Sequence, residues 1–262
     1  MPELPEVELA AAIARRVAVG RTITSVTVRH PAQRRALPAR DARSLRGERV
    51  IAVERRGKAQ HFRLASGRDL CVHFRMTGDW LLPGPGPLPP AVRVVITLDD
   101  GARLALDDPR ALSVVSLCAP GTGASLGPDA LDPALTAGHL AQALASRRIP
   151  IKVALLNQAV LAGIGNIYAS EALWRARIDP RIPAKRIPPA RLADLLRAIR
   201  ATLNAALRRQ ERYFGRNSAD AETGRFAVYD REGERCRRCG GRIKRITQAA
   251  RSTYFCDKCQ GR

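Results

Sequence analysis

Two Cys-x-x-Cys pairs, Cys236/Cys239 and Cys256/Cys259, lie 16 residues apart in the last stretch of a 262-residue chain. Each pair makes a turn that offers two thiolates. Together they would close a tetrahedral site around one structural zinc ion, with no coordination position left open. Segment 231–262 is too small to bury a sufficient core, and metal binding, worth roughly 10–16 kcal/mol, would hold it together. Redox or disulfide roles are the alternative for these four thiols. The remaining cysteines, Cys71 and Cys118, stand apart, and a reducing compartment argues against disulfides.

The same segment carries ten Lys/Arg against three Asp/Glu, including Arg237, Arg238, Arg242, Lys244, Arg245 and Arg251. A ribbon this basic reads as a nucleic-acid arm. The whole chain repeats the bias: 45 Lys+Arg against 24 Asp+Glu give a formal charge of +21. Such a field captures polyanions, although charge alone does not separate DNA from RNA, and an anionic membrane surface is the second choice. The acidic start, MPELPEVE, has no apolar signal region, and no run reaches the ~18 apolar residues of a membrane span. A cytoplasmic, nucleoid-associated protein is expected.

Hydrophobic periodicity divides the rest. Pro5 to about Ala18 reads as a helix, with Val7, Ala10, Ala14 and Val17 at helical spacing and Gly20 closing it. From Thr22 to Leu117 the period shifts to two, with Ser66-Gly67 and Asp100-Gly101 as hairpin turns. Residues 83–90 are a proline-rich surface loop. After Gly127 the pattern is helical: 134–145, 152–160, 166–176 and 190–207, the last with a stripe from Leu192 to Leu207. Residues 215–225 are polar and read as a linker. The expected architecture is multi-domain α+β: an antiparallel β-sandwich with a leading helix (1–130), a helical domain (131–225) and a four-cysteine zinc ribbon (226–262).

Pro2 follows the initiator Met, whose removal leaves a free prolyl amine. Such an amine titrates near ~7.7–8.0, so part of it is neutral and nucleophilic at pH 7. Attack on a sugar C1′ gives an iminium ion, which acidifies the C2′ proton and opens the way to loss of the 3′ phosphate. Glu3 and Glu6 are neighbouring carboxyls able to move protons. A plain helix start is the alternative reading of these residues.

The ordered set MPELPEVE, Arg55-Arg56-Gly57-Lys58, AGIGNIYASEALW and the terminal four-cysteine ribbon closely resembles the formamidopyrimidine-DNA glycosylase / endonuclease VIII family, over essentially the whole chain. The resemblance implies a bifunctional DNA glycosylase/AP lyase acting as a monomer on damaged double-stranded DNA, with zinc as its one cofactor. It implies Pro2 as nucleophile, Glu3 as general acid, and Lys58 as phosphate holder and aid to β-elimination. Arg251 would contact phosphates and assist δ-elimination. Residues 152–174 match the helix–two-turn–helix module, with Gly163 and Gly165 in the turn, Asn166 at a helix N-terminus and Lys152 as a second phosphate contact. Met76 and Arg110 match the residues that fill the gap left by an everted base. DNA is expected in a basic cleft between the sandwich and the helical domain.

Some positions depart from the family pattern. Leu112 stands where an intercalating Phe is usual, and Arg93 where a phosphate-contacting His is common. The long Gly- and Thr-rich lesion-capping loop is not evident. The N-terminus resembles the branch that excises formamidopyrimidines and 8-oxoguanine, whereas residues 55–62 and 126–135 resemble the endonuclease VIII branch, which prefers oxidised pyrimidines. A non-catalytic damaged-DNA-binding protein of the same fold is the rival from another class.

Overall fold

Helix α1 runs Leu4–Ala18 with Pro5 in its first turn, where the missing N–H costs nothing. Its small face, Val7, Ala10, Ala11, Ala14 and Ala18, lies in one core with residues of two antiparallel sheets. The strands are β1 Ile23–Val28, β2 Val50–Arg56, β3 Ala59–Leu64, β4 Asp69–His73, β5 Asp79–Leu81, β6 Val92–Leu98, β7 Arg103–Asp107 and β8 Val114–Cys118. One sheet has the order β1-β6-β7-β5 and the other β2-β3-β4-β8. Ile23, Val94 and Leu104 from the first and Val53, Phe62 and Leu70 from the second share the buried cluster, which makes this the expected sandwich. Trp80 meets Phe62 and Phe74 edge-on, at 5.8 Å each.

The structure is a computed structural model that describes residues 1–119, 126–211 and 226–261, without the side chains of 210 and 211. The chain forms two units, Met1–Ala124 and Ser125–Arg262. The expected linker, 215–225, lies outside the described residues. No described helix is long and apolar enough to cross a membrane.

Two helices interrupt the strand pattern, α2 Pro31–Ala36 and α3 Ala39–Ser44. Six residues each, they are too short to show a helical period in the sequence. His30 caps the first, its Nδ1 accepting the Ala32 N–H at 3.2 Å. The expectation about disulfides is also corrected. Antiparallel pairing of β4 with β8 sets Asp69 opposite Cys118 and Cys71 opposite Ser116. The two cysteines are therefore diagonal neighbours and are bonded through sulfur.

The second unit contains α4 Ala137–Leu144, α5 Ile151–Leu155, α6 Asn166–Arg175, a 3-10 turn Ala184–Arg186, α7 Pro189–Glu211, the hairpin β9 Ile243–Gln248 / β10 Arg251–Cys256 and a terminal turn of helix, α8 Asp257–Gln260. The stripe on α7 is buried at Leu192, Leu195, Leu196, Ile199 and Leu203. Helix α5 stops at Leu155 instead of running to Val160 as the periodicity predicts. Val160, Leu161 and Ile164 beyond it are buried in a turn that the Gln158 side chain ties to the Gly163 N–H and the Ile164 carbonyl.

Candidate active site and nucleic-acid interface

In the first unit, Pro2 immediately precedes the N-cap of α1. Glu3 and Glu6 form a reciprocal capping box, the Glu6 carboxylate accepting the Glu3 N–H at 2.9 Å. This arrangement satisfies N–H groups that a helix start leaves orphaned. Glu3 is only 1% exposed. Lys58, half-buried, follows Gly57 in the β2–β3 turn, where Gly57 takes φ +57°. Two residues that the sequence reading passed over tie this turn to α1. Arg55 gives its Nε–H to Glu8 Oε2 at 2.7 Å and an Nη1–H to the Gly57 carbonyl at 3.0 Å. Glu8 also holds Arg15, whose Nε reaches the Val53 carbonyl at 2.7 Å. The start of the chain and the lysine turn are thus braced through Glu8 and Arg55. Nearby, burial holds the His73 imidazole down at about 4, with the charges of Arg75 and Lys58 adding to the effect, so it is neutral at pH 7.

Two loops of this unit carry the candidate wedges. Met76 is 40% and Leu112 43% exposed, and Arg110 is exposed. Large apolar side chains in solvent at loop tips suit insertion into a base stack. Arg75 and Ala111, beside them, both have left-handed backbone, at φ +57° and +51°. Asp108 holds both loops. Fully buried, its carboxylate accepts the Thr77 hydroxyl at 2.5 Å, the Ser113 N–H at 2.7 Å and the Arg110 N–H at 3.3 Å. Burial opposes its ionisation, but those hydrogen bonds outweigh it and keep the carboxyl below its ordinary value. Arg93 is drawn into the same support, donating to the carbonyls of Asp108 (2.7 Å), Pro109 (3.1 Å) and Pro90 (3.4 Å).

In the second unit, the turn before α6 is built on Gln158. Its Oε1 accepts the Gly163 N–H at 3.0 Å and its Nε2 donates to the Ile164 carbonyl at 2.9 Å, while Gly163 adopts φ +91°. Gly165 is the N-cap of α6 and Asn166 its first residue. Asn166 Nδ2 donates to the Ser252 carbonyl at 3.0 Å, and Lys152 Nζ donates to Asn166 Oδ1 and, at 3.4 Å, to the same carbonyl. Lys152 is 0% exposed. In this conformation it is a strut under the ribbon hairpin, with no surface to offer a phosphate. The next residue along from Ser252, Arg251, is exposed. It leaves a two-residue turn in which Ala249 and Ala250 are both left-handed, at φ +47° and +58°.

The four ribbon thiols lie within 4.8 Å of one another, with Cys236–Cys259 at 3.7 Å and Cys239–Cys256 at 3.5 Å. Zn–S bonds of about 2.3 Å in a tetrahedron put sulfurs about 3.8 Å apart, so the set fits one structural zinc. The Trp174 indole N–H donates to Cys236 Sγ at 3.4 Å, and Arg238 stacks on the same ring at 4.0 Å. Burial disfavours the Cys236 thiolate, but N–H groups of Arg238, Trp174 and Cys239 overcome it and bring the thiol to about 6. Glu171 anchors the entry to the ribbon, accepting the N–H groups of Ala227, Val228 and Tyr229 at 2.8–2.9 Å.

Comparison with known proteins agrees with this geometry. The formamidopyrimidine-DNA glycosylase N-terminal domain model matches residues 1–115, the H2TH domain model of the same enzymes residues 126–216, and the zinc finger found in FPG and IleRS residues 233–261. The chain belongs to the formamidopyrimidine-DNA glycosylase family. The formamidopyrimidine-DNA glycosylase of Paracoccus denitrificans is 39% identical, covering 99% of this chain and 100% of its own length. That of Chloroflexus aurantiacus is 40% identical, covering 99% and 98%. Among solved structures, MutM (Fpg) of Thermus thermophilus superposes with a TM-score of 0.85 at 34% identity, covering 99% of each chain. The Lactococcus lactis Fpg in complex with abasic-site DNA gives 0.88 at 27%, covering 99% of this chain and 100% of its own.

Proposed function

We propose that this chain excises oxidised bases, formamidopyrimidines and 8-oxoguanine, from double-stranded DNA and then nicks the strand by β,δ-elimination, acting as a monomer in the cytoplasm where the bacterial chromosome lies. The observation that carries this reading is the placement of Pro2 beside the buried Glu3 cap, on a helix braced through Glu8 and Arg55 to the turn bearing Lys58. With Met1 removed, the Pro2 nitrogen attacks C1′ and the damaged base leaves, with Glu3 as proton donor. The resulting iminium acidifies C2′, and loss of that proton expels the 3′ phosphate. Lys58 holds the phosphate, and Arg251 supports the second elimination. Met76, Leu112 and Arg110 occupy the space of the everted base, whose unstacking costs a few kcal/mol. Arg93, Lys152 and Asn166 set the loops and the hairpin from which these groups reach DNA. The zinc ion would give the ribbon its rigidity and takes no part in the bond changes.

Borohydride trapping on an abasic-site duplex tests the reaction, with wild type beside Pro2→Gly and a form extended by one residue before Pro2. Wild type cross-links and the extended form does not. Binding without cross-linking or nicking would leave only the non-catalytic reading. A panel of lesion duplexes then sets oxidised purines against oxidised pyrimidines, because residues 55–62 and 126–135 resemble the endonuclease VIII branch, which prefers the second class. Binding should weaken steeply with salt, as phosphate-driven association does.

A further inference from the structure

One cluster in the first unit takes no part in the glycosylase chemistry. Cys71 on β4 and Cys118 at the end of β8 are bonded through sulfur, with Cα atoms 6.4 Å apart. That spacing is within the range a disulfide spans without backbone movement. His61 on β3 is the register partner of Cys71 and brings Nδ1 to 3.3 Å from its Sγ. The Asp69 carboxylate, 1% exposed, lies 3.5 Å from the same nitrogen and 3.7 Å from Arg63 Nε, and neither of its oxygens makes a hydrogen bond. Burial lowers the His61 pKa, as do Arg56 and Arg63, while Asp69 opposes them. The imidazole is therefore a neutral base at pH 7. Both cysteines are only half-buried, so small oxidants and reductants reach them.

We propose that Cys71 and Cys118 form a reversible, redox-active disulfide, closed by a hydroperoxide and reopened by a dithiol, with His61 as the base that activates Cys71. The His61 imidazole takes the Cys71 proton, and the thiolate attacks the distal peroxide oxygen. The O–O bond breaks, and the leaving oxygen departs protonated, as water in the case of hydrogen peroxide. The Cys118 sulfur then displaces hydroxide from the Cys71 sulfenic acid, forming the S–S bond; with the Cys118 proton this leaves as water. Two thiols lose two electrons and two protons in all, and the peroxide gains them. Reduction by a dithiol reverses the balance through a mixed disulfide. The location gives the bond a mechanical consequence. Strand β4 ends at His73, just before the Met76 loop, and β8 begins at Val114, just after Ser113, whose N–H Asp108 holds. Oxidation therefore staples together the two strands from which the wedge loops spring. This inference does not depend on the proposed glycosylase activity.

The test uses the full-length, zinc-loaded protein. It is reduced, exposed to hydrogen peroxide, alkylated and digested with trypsin. The expected product is a cross-linked pair of peptides, 69–75 with 111–147, lighter by two hydrogens and abolished by dithiothreitol, together with a raised Tm for the oxidised form. In Cys118→Ser, Cys71 is trapped as a sulfenic acid by dimedone. A thiol of pKa about 8.5 is only about 3% thiolate at pH 7, so His61→Gln slows closure by up to about thirtyfold. Recovery of both cysteines as separately alkylated thiols after peroxide overturns the proposal. So does a second equivalent of zinc in the reduced protein that Cys71→Ser removes, since that would make the cluster a metal site. An unchanged rate in His61→Gln overturns the role of the imidazole.

Discussion

Replacing Asp108 by Asn separates the support of the wedge loops from their chemistry. The amide keeps one oxygen for Thr77 and Arg110 but turns an N–H towards the Ser113 N–H, which the carboxylate now accepts at 2.7 Å. The lost charge-assisted bond is worth about 1.5–3 kcal/mol, and a buried N–H left facing another donor costs about 1–3 kcal/mol more. The site is fully buried, so water does not compensate. The expected destabilisation is about 3–5 kcal/mol, which for a unit of this size lowers Tm by about 10–20 °C. Scanning calorimetry reads it directly. The sign of the pH dependence follows from the depressed carboxyl pKa. The contribution of Asp108 is fully present above its unfolded value of about 3.9 and is lost as pH falls through the lower folded value. The gap between wild type and Asp108→Asn therefore closes only in strong acid. On the proposed roles of Met76, Arg110 and Leu112, which act before the base is lost, excision from lesion duplexes falls more than trapping on a pre-formed abasic site. A destabilisation below about 1 kcal/mol with unaltered excision would refute the reasoning.

Other outcomes follow from the same geometry. Trp174→Phe removes the N–H held by Cys236 Sγ, and zinc affinity measured by chelator competition should fall about 10–100-fold, as for other outer-shell partners; an unchanged affinity would make the contact incidental. Ala249→Asn with Ala250→Gly fits side chains suited to left-handed backbone into the turn beside Arg251. It should stabilise the ribbon by about 1–2 kcal/mol in thermal unfolding, and a loss would contradict the reading of that turn as strained. His73, lowered to about 4, contributes stability that is present above about pH 6.5 and lost as pH falls towards its folded value. Denaturant titrations at successive pH values should therefore show a slope over that window that flattens in His73→Gln; an unchanged slope would assign it to another group.

Much of this was legible in the sequence because it is local. Pro5 in a first turn, Ser66-Gly67 and Asp100-Gly101 at hairpins, and the four-cysteine spacing each report a conformation set within a few residues. What escaped depends on partners far along the chain. Nothing near Asp108 says that it accepts from Thr77, and nothing near Glu8 points to Arg55. Glu171 looks like any helix-face carboxylate until residues 227–229 arrive against it. Lys152 reads as a phosphate contact from the motif it sits in, yet here its Nζ donates to Asn166 and a ribbon carbonyl. The pairing of Cys71 with Cys118 depends on strand register, and the compartment argument pointed the other way.

The grip of Glu171 on three successive backbone amides bears on how the ribbon is seated. A carboxylate at one fixed point of α6 receives the chain just before the zinc ribbon begins, so the ribbon's position is set from the helix side. Closing the metal site and docking the ribbon are thus two separate tasks, the first carried by four thiols and the second by one helix carboxylate.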